Sequence, residues 1–187
     1  MRTFISIEIP DDIKDNVEKV IGEMKALLPP IKWVDKKNLH LTMKFLGWVD
    51  DPKIDPLKAS ITDIVKDFGS IKIRFSGLGV FPSSNRPRVI WVGISEGSEK
   101  VKELAEKLNE RLTKEGYRKE EDRDFSPHLT IGRIKERIET GALNNFIEKK
   151  ERENFGGFTA KNVSLMKSTL RRSGPIYEEI EKIGLSS

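Results

Sequence analysis

Both histidines of this chain open the same tripeptide, His40-Leu41-Thr42 and His128-Leu129-Thr130, and the copies stand 88 positions apart in 187 residues. Eight threonines in that length place one two residues after a given histidine about once in 23, and after both about once in 500. A pairing that uses every histidine and recurs at nearly half the length points to a repeated unit. It constrains the fold to two similar lobes that each supply one imidazole to a common site. It also bounds the chemistry, because the unperturbed imidazole gives or takes a proton near neutrality.

The flanking patterns agree. Residues 2–9 alternate as a strand, and Asp11 or Asp12 can cap a helix over 12–27 with Ile13, Val17, Val20, Ile21 and Met24 on one face. Leu28-Pro29-Pro30 ends that helix, a short strand follows near 31–34, and the first histidine strand covers 39–47. A helix fits 55–67, a strand 71–81, and Pro82 to Pro87 reads as a loop. The second half restarts with a strand at 88–94, a helix at 98–115 ended by Gly116, and the second histidine strand from 128 to 134. A short helix near 140–150, a strand at 161–169 and a strand or short helix at 176–183 finish the chain, and the Glu148–Glu153 charge run reads as a solvated turn or helix end. The expected architecture is α+β: one domain over 1–187, bilobal and pseudo-symmetric, with antiparallel sheets flanking a central cleft and helices outside. Its internal repeat covers 2–47 and 88–134.

Composition narrows the class. Hydrophobic content of 36% with 34% charged residues describes a globular chain with a heavily ionised surface. No apolar run reaches the length of a membrane span, and the start lacks the apolar block of a signal peptide, so a cytoplasmic monomer is expected. Without cysteine, thiolate nucleophiles and cysteine-based zinc sites are excluded. The absence of glutamine beside abundant Lys and Glu resembles proteins of heat-loving organisms. A net charge of +4 allows a polyanionic ligand.

Strand side chains alternate faces, so His40 and Thr42 project together, as do His128 and Thr130, while Leu41, Met43, Leu129 and Ile131 face a core. Two such strands across a cleft would suit a phosphodiester. One imidazole deprotonates the nucleophile, the other protonates the leaving oxygen, and the hydroxyls hold the non-bridging oxygens. No metal or cofactor is needed. The rival of two imidazoles plus a carboxylate on a metal finds no ligand spacing at Asp35, Asp50, Asp122 or Asp124. A serine hydrolase lacks its Gly-x-Ser-x-Gly elbow.

The stretches Leu39 to Gly47 and Pro127 to Arg133 resemble the two signatures of the 2H phosphoesterases. Gly77 to Pro82, Arg86 to Gly93 and Leu170 to Tyr177 resemble its RNA 2′,3′-cyclic phosphodiesterase branch, also called RNA 2′-5′ ligases. The resemblance implies hydrolysis of RNA 3′ ends carrying a 2′,3′-cyclic phosphate, tRNA fragments among them, to a 2′-phosphate. It implies His40 as general acid, His128 as base, and Thr42, Thr130 and Arg133 on the phosphate. Reversal would join RNA by a 2′-5′ bond. By alternation Arg133 falls on the face opposite Thr130 unless the strand bends at Gly132. Lys44 shares the His40 face and is a candidate for RNA contact; Phe45 falls on the opposite face, which points to the core, with base stacking as the alternative. Arg86, Arg88, Arg171 and Arg172 are further RNA-binding candidates. The alternatives are a cyclic phosphodiesterase of small nucleotides and a non-catalytic RNA-end binding module.

Overall fold

The computed structural model describes every residue except Pro30, residues 119–124, Ser173 and Ser187. Pro30 of the expected helix stop, and Asp122 and Asp124, lie outside the described residues. The chain is α+β. The N-terminal alternation forms β1 (Arg2–Glu8) and leads into α1 (Asp11–Leu27), whose stripe Ile13, Val17, Val20, Ile21 and Met24 is buried. Asp11 and Asp12 lie in its first turn, where they favour the helix dipole, while Pro10 holds the cap position without a side-chain bond. There follow β2 (Lys32–Trp33), a 3-10 turn over Lys36–Asn38, β3 (His40–Trp48), α2 (Ile54–Val65), β4 (Ile71–Phe81), β5 (Val89–Glu96), α3 (Ser98–Lys114), β6 (Leu129–Arg133) and α4 (Gly141–Lys149). The Glu148–Glu153 charge run closes α4 and turns. β7 (Asn154–Ala160), β8 (Asn162–Arg171) and β9 (Gly174–Gly184) complete the chain. Among the described residues no helix is long and apolar enough to cross a membrane.

Two antiparallel sheets carry these elements, in the orders β3-β1-β8-β9 and β2-β6-β5-β4-β7. Set beside each other, β3-β1-β8-β9 and β6-β5-β4-β7 match strand for strand, with the histidine strand outermost in both. The exception is β2, which leaves the first half of the chain to pair Lys32 with Arg133 and Trp33 with Gly132. That excursion carries Trp33 to the second histidine strand before the Lys36–Asn38 turn returns the chain to His40.

The sequence does not announce β7, because Gly156-Gly157 after a charge run reads as a turn. Packing explains the glycines. A Cβ on Gly157 would lie 2.8 Å from the Ile73 carbonyl oxygen, and Gly156 has a φ of +108° with Ile13 of α1 against it. Asn16 of α1 donates to the Phe155 carbonyl at 3.1 Å, so α1 packs where a larger residue would obstruct it.

Both histidine strands carry an extra residue at the same place. Ser6 pairs with Thr42 and Ile5 with Lys44, leaving Met43 unpaired. Trp91 pairs with Thr130 and Ile90 with Gly132, leaving Ile131 unpaired. A bulge shifts every later side chain to the other face. Strict alternation therefore holds through each His-x-Thr and fails one residue later.

The central glycines serve the second strand. Gly79 pairs with Trp91, and a Cβ there would fall 2.2 Å from the indole ring. The indole packs on Phe81 at 5.1 Å between ring centroids. Gly79→Ala should therefore push Trp91 out of place and cost about 1–3 kcal/mol, as overpacking does. Urea unfolding of the variant, with the midpoint lowered at unchanged slope, checks this; an unchanged midpoint would contradict it.

Candidate active site

A cavity of about 150 Å³ opens between the sheets. His40, Thr42 and Phe45 of β3 and Pro175 and Tyr177 of β9 line one side. Thr130 and Arg133 of β6, with Lys32 and Trp33 of β2, line the other. His128 directly precedes β6, with buried Leu129 between it and Thr130. The Arg133 charge reaches both imidazoles and disfavours protonation of each. The structure thus brings Thr42, Thr130 and Arg133 together with His40, with His128 within reach of the same guanidinium.

The two rings are held in the same way. Nδ1 of His40 lies 2.7 Å from the Asn38 carbonyl oxygen, and Nδ1 of His128 lies 2.7 Å from that of Ser126. A carbonyl only accepts, so Nδ1 carries the proton and donates in each case. Nε2 is left as the acceptor nitrogen. In His40 it accepts from the Thr42 hydroxyl at 3.0 Å. Aromatic rings fix the imidazole planes: Phe4 and Tyr177 lie 4.9 and 5.1 Å from His40, the latter edge-on, and Phe81 meets His128 edge-on at 5.0 Å.

Burial sets the electrostatics. Desolvation, reinforced by the charges of Lys14 and Arg133, drives His40 from its usual 6.5 down to about 4, against the opposing pull of the Asn38 carbonyl. Desolvation also lowers His128, with Arg133 contributing and the Ser126 carbonyl opposing. Lys14 is itself buried on α1 and has Glu8 4.0 Å away.

Two expectations about β3 are corrected. Lys44 is 0% exposed, and its ammonium donates to Asn109 Oδ1 at 2.6 Å and to the Arg118 carbonyl at 2.8 Å. It ties β3 to α3 instead of meeting RNA. Phe45, expected in the core, is 41% exposed and lines the cavity. The bulge at Met43 exchanges the two. The bulge at Ile131 supplies the bend that Arg133 required, one residue earlier than Gly132; Gly132 instead leaves room for the Trp33 ring, 3.0 Å from where its Cβ would be. Arg86 is exposed in its loop, and Arg88 is exposed but donates to the Lys135 carbonyl at 2.7 Å. Arg171 and Arg172 are exposed at the end of β8, next to the strand that carries Tyr177.

The sequence reading assigned no role to Asn38, Phe4, Phe81, Tyr177, Lys14 or Trp33. Asn38 acts through its backbone carbonyl, while its side chain donates to the Pro175 carbonyl at 3.1 Å. No residue-type signal could have announced the first of these contacts.

Paired His-x-Thr strands facing a cleft between two antiparallel sheets define a phosphoesterase class, and comparison with known proteins gives the same answer. Residues 10–172 match the family model of the 2′-5′ RNA ligase superfamily. The chain is 41% identical over 182 residues to the RNA 2′,3′-cyclic phosphodiesterase of Methanocaldococcus jannaschii, covering 97% of this chain and 99% of that one. It is 34% identical over 180 residues to the protein of the same name from Archaeoglobus fulgidus, covering 96% and 98%. The crystal structure of TT0787 of Thermus thermophilus shares the fold, with a TM-score of 0.80 over 99% of this chain and 98% of that one at 24% identity. The chain belongs to the 2′-5′ RNA ligase superfamily, the 2H phosphoesterases. The composition expected of a heat-loving source fits the organisms of these relatives.

Two tests follow from this geometry. Lys44→Ala should cost about 2–5 kcal/mol through the cavity and the lost bonds, with little change in the affinity of the folded protein for RNA. Denaturant unfolding beside an RNA titration checks it; a weakened RNA affinity at unchanged stability would reverse the assignment. The depressed His40 pKa means that the unfolded chain binds the proton more tightly. Its stabilising contribution is complete above pH 6.5 and is lost as pH falls through about 4. About 3 kcal/mol should disappear across that window. Subtracting the stability curve of His40→Asn removes the carboxylates, and parallel curves would refute the shift.

Proposed function

We propose that this protein hydrolyses RNA ending in a 2′,3′-cyclic phosphate to a 2′-phosphate, with its own two imidazoles supplying the proton transfers. The reading is supported by the matched anchoring of the two rings through Nδ1, together with a cavity lined by His40, both threonines and Arg133, with His128 two residues along the chain from Thr130. The names of the relatives above support the substrate class.

His128 Nε2 takes a proton from water as the water oxygen bonds to phosphorus. The bond from phosphorus to the 3′ oxygen breaks on the opposite side, and His40 Nε2 gives that oxygen its proton. The product carries a 2′-phosphate and a 3′-hydroxyl, and proton exchange with solvent resets the pair. The Thr42 hydroxyl turns from His40 to a non-bridging oxygen, Thr130 donates to the other, and Arg133 balances the charge that builds there. His40 suits the acid role once substrate is present: the phosphate anion offsets the repulsion from Lys14 and Arg133 and raises the imidazole toward its ordinary range. Run backwards, the same groups join a cyclic phosphate end to a 5′-hydroxyl through a 2′-5′ bond, which the name of the superfamily favours.

Turnover of an oligonucleotide with a cyclic phosphate end, measured with a chelator present, tests the proposal. His40→Ala and His128→Ala should each lower kcat by at least about 100-fold while leaving the fold intact. The wild type should show a bell-shaped pH profile and release the 2′-phosphate isomer. Full activity in either variant, release of the 3′-phosphate, or loss of activity with the chelator would overturn the mechanism.

A further inference from the structure

We propose that the face of the first sheet running outward from His40 along β1 and β3 seats the RNA upstream of its terminal nucleotide, with Trp48 as a base-stacking platform and Arg2 on the next phosphate. The proposal rests on the RNA-end reading above and adds to it a second subsite.

Size comes first. The cavity of about 150 Å³ is well below the roughly 300–1,000 Å³ of pockets that engulf a small molecule. It takes the phosphate and part of the sugar; the rest of the substrate lies on adjoining surface.

Strand register shows which surface continues the site. β1 opposes β3 through Glu8 and His40, Ser6 and Thr42, Phe4 and Phe45, and then Arg2 and Trp48. Residues directly opposite in an antiparallel pair share a face. Glu8, Ser6, Phe4 and Arg2 alternate along an unbulged strand, so all four belong to the cleft face. Phe4 confirms it by packing on both His40 and Tyr177. On β3 a second surplus residue, Leu46, lies between the Phe4–Phe45 and Thr3–Gly47 pairs and restores the parity, so Arg2 and Trp48 form the next cleft-face rung beyond Phe45. The Arg2 charge also reaches the Tyr177 phenol.

Exposure and charge identify the occupant. Trp48 is 77% exposed and Phe45 41%, and Leu170, two alternations along β8 from the Phe4 partner Met166, is 66% exposed on the same face. Among the described residues Arg2 forms no salt bridge or side-chain hydrogen bond. Exposed rings beside an unpaired guanidinium are the equipment of single-stranded nucleic acid binding, where bases stack on aromatics and cations follow the backbone. Lys53 and Arg118 also stand near Trp48, but they share their cavity with Asp50 and Glu115, so the phosphate contact is assigned to Arg2.

Equilibrium binding of a hexanucleotide ending in 2′-phosphate is compared with that of a nucleoside 2′-monophosphate. The wild type should bind the hexamer at least tenfold tighter. Arg2→Ala and Trp48→Ala should each weaken hexamer binding about fivefold or more and pull the ratio toward one. Trp48→Phe should keep most of the preference, and Arg2→Ala should reduce the salt slope by about 0.7. A wild-type ratio near one, or variants that weaken both ligands equally, overturns the track. A dimer in sedimentation that Trp48→Ala dissolves would assign the patch to a second copy and also overturn it. Turnover of a cyclic-phosphate hexamer by the wild type judges the RNA-end reading separately. If turnover fails, that reading falls while the ratio still decides the track; if turnover holds and the ratio is one, only the track falls.

Discussion

A surplus residue just after the threonine of each histidine strand, Met43 in β3 and Ile131 in β6, decides what faces the cleft. Up to the threonine, both strands follow the period of two that places imidazole and hydroxyl side by side. Past it, the bulge slips the period by one. In β3 this turns Phe45 into the cavity and Lys44 toward α3; in β6 it brings Arg133 back to the side of Thr130. Arg133 of the second strand and Phe45 of the first therefore occupy the same position, three residues after the threonine. A regular strand with the same sequence would have exposed a lysine in the site and buried the arginine's stem.

The site works against its own charge state. Two imidazoles beside Lys14 and Arg133, in a setting that water only partly reaches, favour the neutral form of both rings. The backbone carbonyls of Asn38 and Ser126 oppose this but do not win, because hydrogen bonding from Nδ1 recovers only part of what desolvation removes. What they secure is orientation and tautomer. An anion bound beside the rings would relieve that repulsion and favour their protonated forms. Asn38 couples this arrangement to the β8–β9 hairpin, since the residue whose carbonyl holds His40 also grips the Pro175 carbonyl through its side chain.

Much of the fold was legible. The stripe of α1 and those of α2 and α3 are read from apolar spacing, and the tripeptides announced two equivalent strands, one in each sheet. β7 was not, since its glycines reflect the approach of α1 and β4, contacts distant in sequence that no local pattern encodes. Likewise β2 looked like a strand of the first half, and only its pairing with β6 shows that it crosses to the other sheet.

The chemistry was already written in the order of residues. Two histidines, two threonines and an arginine in repeated context resemble the signatures of the 2H phosphoesterases, the superfamily to which the chain belongs. Folding settled geometry and charge: which of Lys44 and Phe45 lines the cavity, how Arg133 comes to the side of Thr130, which nitrogen of each ring the backbone holds, and in which direction burial moves the imidazoles. These depend on strand register, backbone carbonyls and desolvation. Each is a relation between distant parts of the chain, and residue identity alone does not carry it.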